Sequence, residues 1–117
     1  MKYNALDNLK VRAISERVIQ VAKDTFSDKL DKVYLYGSYA RGDYDSESDI
    51  DFFILADISQ EEACRQRQSV SKRLECIDLE YDLLVSCGVT SSELFNQYIT
   101  DLPFYMNVAN EGMILSE

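Results

Sequence analysis

Asp49 and Asp51 open the apolar run Phe52 to Leu55, and this pair is the best-placed chemistry in the chain. On an extended strand, residues i and i+2 point to one face, so both carboxylates aim at one point. A divalent cation fits there. Upstream, the β-type run Val33 to Tyr36 ends in Gly37-Ser38. Glycine lets the backbone approach a phosphate and take torsions closed to other residues. Ser38 supplies a hydroxyl, and the amides after it can form a concave anion site at a helix start. Arg41 adds a fixed charge and a bidentate fork, and Gly42 lets the chain turn again. A small-residue turn followed by paired carboxylates suits metal-bound triphosphate chemistry.

The chain has no histidine. That excludes a His-ligated zinc site and a His-based triad. Cys64, Cys76 and Cys87 are odd in number and unclustered, so they read as reduced thiols in a cytoplasmic protein. A metal must then be held by oxygen, which favours Mg²⁺, with Mn²⁺ as the substitute. A two-ion site needs a third carboxylate on a neighbouring strand. Asp78, Glu80 and Asp82 alternate along a predicted third strand, Asp78 to Ser86. Asp82 is preferred because it directly precedes Leu83-Leu84-Val85, as Asp51 precedes Phe52-Phe53-Ile54; Glu80 comes second. The third acid would also polarise an incoming hydroxyl.

The elements that must position these groups follow from periodicity. Leu6 to Leu30 carries apolar residues at helical spacing and predicts one long amphipathic helix. Lys32 to Tyr36 and Asp49 to Ala56 predict strands, with a brief helix over Ser38 to Arg41 and a polar connection over Asp43 to Ser48. Ser59 with Glu62, and Thr90 with Glu93, read as capping boxes that open helices. Pro103 begins a further short helix, which Gly112 would end as a C′ residue, before a short extended piece from Met113 to Leu115. The pattern predicts an α/β (α+β) domain, a small mixed β-sheet backed by helices.

The 117 residues predict a single domain, 1–117, with one core. The formal charge of −9 argues against direct nucleic-acid binding and fits a basic partner or a cation-loaded substrate. No apolar run is long enough to span a membrane, and MKYNALDNLK lacks a signal-peptide core. Tyr39 and Tyr44, next to the motif, are candidates for stacking on a nucleobase. Tyr98, Phe104 and Tyr105 read as core, or as a partner surface if exposed.

GSYARGDYDSESDID, Gly37 to Asp51, resembles the minimal nucleotidyltransferase (MNT) family of the DNA polymerase beta-like superfamily. That family shows GSxARGxxxxxSDxD, and every fixed position is filled. LPFYMNVANEGMILSE also looks like the family's ending. The resemblance implies a polymerase beta-like core in which Gly37 and Ser38 contact a triphosphate, Asp49 and Asp51 bind Mg²⁺, and Asp82 is the third acid. It further implies an antitoxin that transfers AMP from ATP to a tyrosine hydroxyl of a HEPN-domain RNase toxin in a hetero-oligomer. The short chain agrees, since little remains to build an acceptor site. Two rival readings are an antitoxin acting by occlusion alone and a small-molecule nucleotidyltransferase. Intact Gly37, Ser38, Asp49 and Asp51 disfavour the first, and the short length disfavours the second.

Overall fold

The computed structural model describes residues 3–116. The first helical run divides at Asn8. Asn4 caps a single 3-10 turn, Ala5–Asp7, and Asn8 accepts from the amides of Lys10 and Val11 to start α1, Leu9–Phe26. The single helix expected over Leu6 to Leu30 is therefore broken at its start. Its N-terminal amides need an acceptor, and the Asn8 side chain supplies one. Val11, Ile14, Val18, Ala22 and Phe26 form its buried stripe.

The chain then runs β1 (Leu30–Tyr36), α2 (Ser38–Arg41), β2 (Ile50–Ala56), α3 (Gln60–Tyr81), β3 (Val85–Ser91), α4 (Ser92–Tyr98), α5 (Pro103–Glu111) and β4 (Met113–Ser116). The four strands form one mixed sheet in the order β3-β2-β1-β4. β1 is antiparallel to both β2 and β4, whereas β2 and β3 are parallel. A parallel pair needs a long crossover, and α3 provides it.

Alternation along the strands divides the interior. Val33, Leu35, Ile50, Phe52, Ile54 and Val89 pack with the stripes of α1 and α3. Tyr34, Phe53 and Leu55 turn the other way and pack with Phe95 of α4 and Val108 of α5. Each large apolar side chain taken fully from water contributes about 1.5–3 kcal/mol. The sheet is thus packed on both faces, and β1 and β2 lie at its centre.

Several expectations are corrected. The segment Asp78–Tyr81 is the last turn of α3, not a strand. Ile77 completes the buried row Ala63, Val70, Leu74, while Leu79 is 87% exposed. The apparent alternation was a helix end passing through polar and apolar residues. The cap of α4 is Ser91, which accepts from the Leu94 amide, so Thr90 stays in β3. Gly112 does end α5, in extended backbone (φ −71°, ψ 148°), and feeds β4 directly. Among the described residues no helix is long and apolar enough to cross a membrane.

Candidate active site

β1 and β2 bring the two halves of the motif together. Their antiparallel register sets Tyr36 opposite Asp51, so the turn that leaves β1 faces the carboxylates that enter β2. Gly37 makes that turn at φ 74°, ψ −155°, a region essentially reserved for glycine. Its carbonyl accepts from the amides of Ala40 and Arg41, both at 3.1 Å, and closes the short α2. The approach to Asp51 is close. A β-carbon on Gly37 would stand 2.5 Å from Oδ2 of Asp51.

Asp49 is exposed and Asp51 is partly buried. Burial, and then the like charge of Asp49, raise the Asp51 carboxyl above its ordinary value, while Arg41 pulls it the other way. Two carboxylates held together against their own repulsion suit a hard cation with oxygen ligands. Mg²⁺ is commonly held by one or two carboxylates plus substrate phosphates, so this donor pair fits it. Among the described residues no group of three acidic, His or Cys side chains is arranged to hold a metal.

The acids expected on the third strand are dispersed. Asp78 accepts from the Val85 amide at 2.9 Å. Glu80 pairs with Arg17 of α1. Asp82 is the exposed C-cap of α3, in the left-handed region at φ 50°. The parallel register places Ser86, not an acid, beside Asp51. The structure therefore brings Asp49, Asp51, Gly37 and Ser38 together and leaves Asp82 at the turn before β3. That turn lies at the sheet end where Asp49 enters β2, since Ile50 donates to the Leu84 carbonyl at 3.0 Å.

Arg41 is exposed and bridges two carboxylates, Asp43 through Nε and Glu111 of α5 through Nη1, each at 3.2 Å. Those partners hold its guanidinium pKa above the ordinary value. Gly42 ends α2 at φ 93° beneath the ring of Tyr3, whose atoms would come within 3.1 Å of an added β-carbon. The Tyr3 hydroxyl donates to the Tyr39 carbonyl at 2.6 Å. Nothing in local spacing marks this clasp, because its partners lie far apart in sequence.

Tyr39 and Tyr44 each give one ring face to the other and not to a base. They stack on each other, with centroids 4.1 Å apart and planes 9° apart, and Tyr39 is buried. The aromatic surface near the carboxylates is a different set. A cavity of about 350 Å³ is lined by Tyr36, Phe53, Ser86, Gly88, Phe104 and Tyr105, among others. Tyr36 and Ser86 flank Asp51 in the sheet, so the cavity adjoins the carboxylates. Tyr36 and Phe104 meet edge to face at 5.6 Å, and Phe104 remains 48% exposed. Burial, then the charge of Asp51, pushes the Tyr36 hydroxyl up to about 12, so it stays a neutral donor. Gly88 makes room for this wall, since a β-carbon there would lie 2.9 Å from the Phe53 ring. Sequence reading passed over Gly88; a glycine inside a strand is the signal that could have marked it.

Known proteins resemble this chain in sequence and in fold. A Methanocaldococcus jannaschii protein provisionally named protein adenylyltransferase MJ0604 is 36% identical over 104 residues, spanning 89% of this chain and 95% of that one. A provisionally named nucleotidyltransferase from Sulfolobus solfataricus has the same fold, with a TM-score of 0.63 at 19% identity over 99% of this chain and 90% of that one. A toxin–antitoxin crystallised with AMP-PNP gives 0.60 at 22% identity over 87% and 72%. The family described as the nucleotidyltransferase domain matches residues 15–111, a span that holds the glycine turn, both carboxylates and all but the last strand, and the chain belongs to that family of transferases.

Proposed function

We propose that this nucleotidyltransferase moves AMP from ATP, with Mg²⁺, onto a tyrosine hydroxyl of a partner HEPN-domain toxin and so neutralises it. The observation that carries the reading is the Gly37–Asp51 approach, which sets an anion-binding turn against a cation-binding pair. The protein adenylyltransferase name of its relative supports transfer to a protein. The toxin–antitoxin with AMP-PNP, which shares the fold, supports both the nucleotide and the partner.

Asp49 and Asp51 would hold Mg²⁺, which when bound supplies charge neutralisation for the triphosphate and polarises the α-phosphate. Gly37 and Ser38 present amides and a hydroxyl to the phosphates. Arg41 exchanges Asp43 and Glu111 for phosphate oxygens, and Gly42 keeps α2 short enough to do so. The acceptor oxygen bonds to the α-phosphorus as the bond to pyrophosphate breaks. Its proton passes to a carboxylate. Asp82 takes that role ahead of Glu80 and Asp78. Glu80 is engaged by Arg17 and Asp78 by an amide, whereas the exposed carboxylate of Asp82 has no hydrogen bond or ion pair among the described residues.

The test incubates the protein with labelled ATP, Mg²⁺ and a HEPN toxin encoded beside it. Label should reach a toxin tyrosine with the native protein and not with Asp49→Ala/Asp51→Ala. Equal silencing by both without label would establish occlusion instead.

A further inference from the structure

β3 is an edge strand whose outer side is only half closed. The Ile50 amide bonds to the Leu84 carbonyl. In a parallel ladder a residue turns its N–H and C=O to the same side, and successive residues alternate. Leu84, Ser86, Gly88 and Thr90 therefore face β2. Val85, Cys87, Val89 and Ser91 turn outward, where no strand lies among the described residues. The two outermost of these amides are already met by side chains: Val85 donates to Asp78 at 2.9 Å and Ser91 to Gln60 at 3.0 Å. Between them, among the described residues, the outward backbone groups of Cys87 and Val89 have no such cap, and both residues, largely buried as whole residues, line the aromatic cavity.

The α3 wall of this opening is basic on an otherwise acidic molecule. The chain carries a net charge of −9. Arg67 lines the aromatic cavity and, with Lys72 and Glu75, a second cavity that continues from it. Both cations are exposed and form no ion pair among the described residues, whereas Arg41 and Arg65 do.

We propose that the outer edge of β3 receives an extended segment of a partner protein. The segment pairs its backbone with Cys87 and Val89, seats an aromatic side chain among Tyr36, Phe53 and Phe104, and sets acidic residues against Arg67 and Lys72. Strand addition at a free edge takes affinity from main-chain hydrogen bonds and specificity from pockets for alternate side chains. A small ligand would not match the two-residue repeat of open groups. A second copy of this chain would set Arg67 and Lys72 against their own like charges. The proposal rests on the function proposed above only in taking the seated aromatic residue as the acceptor tyrosine.

The probe is the peptide acetyl-Glu-Val-Tyr-Val-Glu-amide, titrated to millimolar concentration while the backbone amides are followed by NMR. The Cys87 and Val89 amides should shift and exchange with solvent about tenfold more slowly, as expected for amides newly held in a ladder. Arg67→Glu with Lys72→Glu, both on the surface, should weaken binding at least about tenfold, and the same peptide with Lys for Glu should then bind the variant better. Unmoved amides, indifference to charge reversal, or shifts that follow protein concentration without peptide would each overturn the proposal. Labelled ATP and Mg²⁺ separate the two readings. A peptide that protects the amides and takes no label leaves docking in place and sinks the acceptor assignment. A labelled toxin with unmoved amides sinks docking at this edge and leaves the proposed function in place.

Discussion

The carboxylate of Asp51 rests over the α-carbon of Gly37, so close that a β-carbon there would lie 2.5 Å from Oδ2. Gly37→Ala meets two obstacles, this contact and the torsion at φ 74°, ψ −155°. A residue forced into that region costs about 1–3 kcal/mol. Displacing Asp51 by a fraction of an ångström should lower transfer about 100-fold, since catalytic geometry is unforgiving on that scale. Urea unfolding and a transfer assay on one preparation check both. Full activity in Gly37→Ala would remove the reason for glycine at this turn.

Asp51 also sets a pH dependence with two opposite signs. Its carboxyl is raised by burial and by Asp49. In the window from the ordinary aspartate value up to that raised value, the folded chain keeps a proton that the unfolded chain has lost. Stability from this group is full below the window and is lost as pH rises through it. Cation binding runs the other way, because it needs the ionised pair. Asp51→Asn should therefore melt higher than the native protein at neutral pH without metal. Mg²⁺ should raise the melting temperature of the native protein but not of the variant. Calorimetry with and without Mg²⁺ reads both effects.

Arg41 separates binding from stability. Its two carboxylate partners are exposed, and such pairs contribute little to folding. Arg41→Ala should leave the melting temperature nearly unchanged. It should raise the KM for ATP about tenfold, the worth of one lost charge-assisted contact of ~1.4 kcal/mol. An unchanged KM would return Arg41 to a surface role.

Tyr3 is expected to act on α2 from a distance. Tyr3→Phe keeps the ring over Gly42 and loses the bond to the Tyr39 carbonyl, a net loss of about 1 kcal/mol. Tyr3→Ala loses both. The KM for ATP should rise in the order native, Phe, Ala, with kcat changing less. Equal effects of the two variants would mean that the ring contributes nothing.

The carboxylate strand and the glycine turn were legible because each is local. Gly37-Ser38 and Asp49-Ile50-Asp51 each lie within a few residues, and strand periodicity fixes their faces. β3 was misplaced for a physical reason. Its residues Ser86, Cys87 and Gly88 are small, and at Gly88 the Phe53 ring occupies the space a side chain would fill. A strand that lends its volume to a neighbour loses its apolar signature. The acids before it then looked like alternation, although Ile77 was still continuing the buried row of α3. The Tyr3–Tyr39 bond and the Arg41–Glu111 pair, 36 and 70 residues apart, exist only once the chain is folded. The Asn8 cap was readable as a helix start and was overlooked within a longer apolar rhythm.

The place of β1 in the sheet has a consequence for synthesis. It is the first strand made, yet it lies between β2 and β4 and pairs with Met113–Ser116. The nascent chain can zip β1 to β2 early, because their separation is short and loop closure is fast. The far side of β1 must then wait until Met113–Ser116 has emerged. For that interval the Val33–Leu35 edge is open to any passing strand. Folding beside a ribosome therefore carries an aggregation hazard that the finished molecule no longer shows, and variants that slow the docking of β4 should reveal it as inclusion bodies before any loss of native stability is measurable.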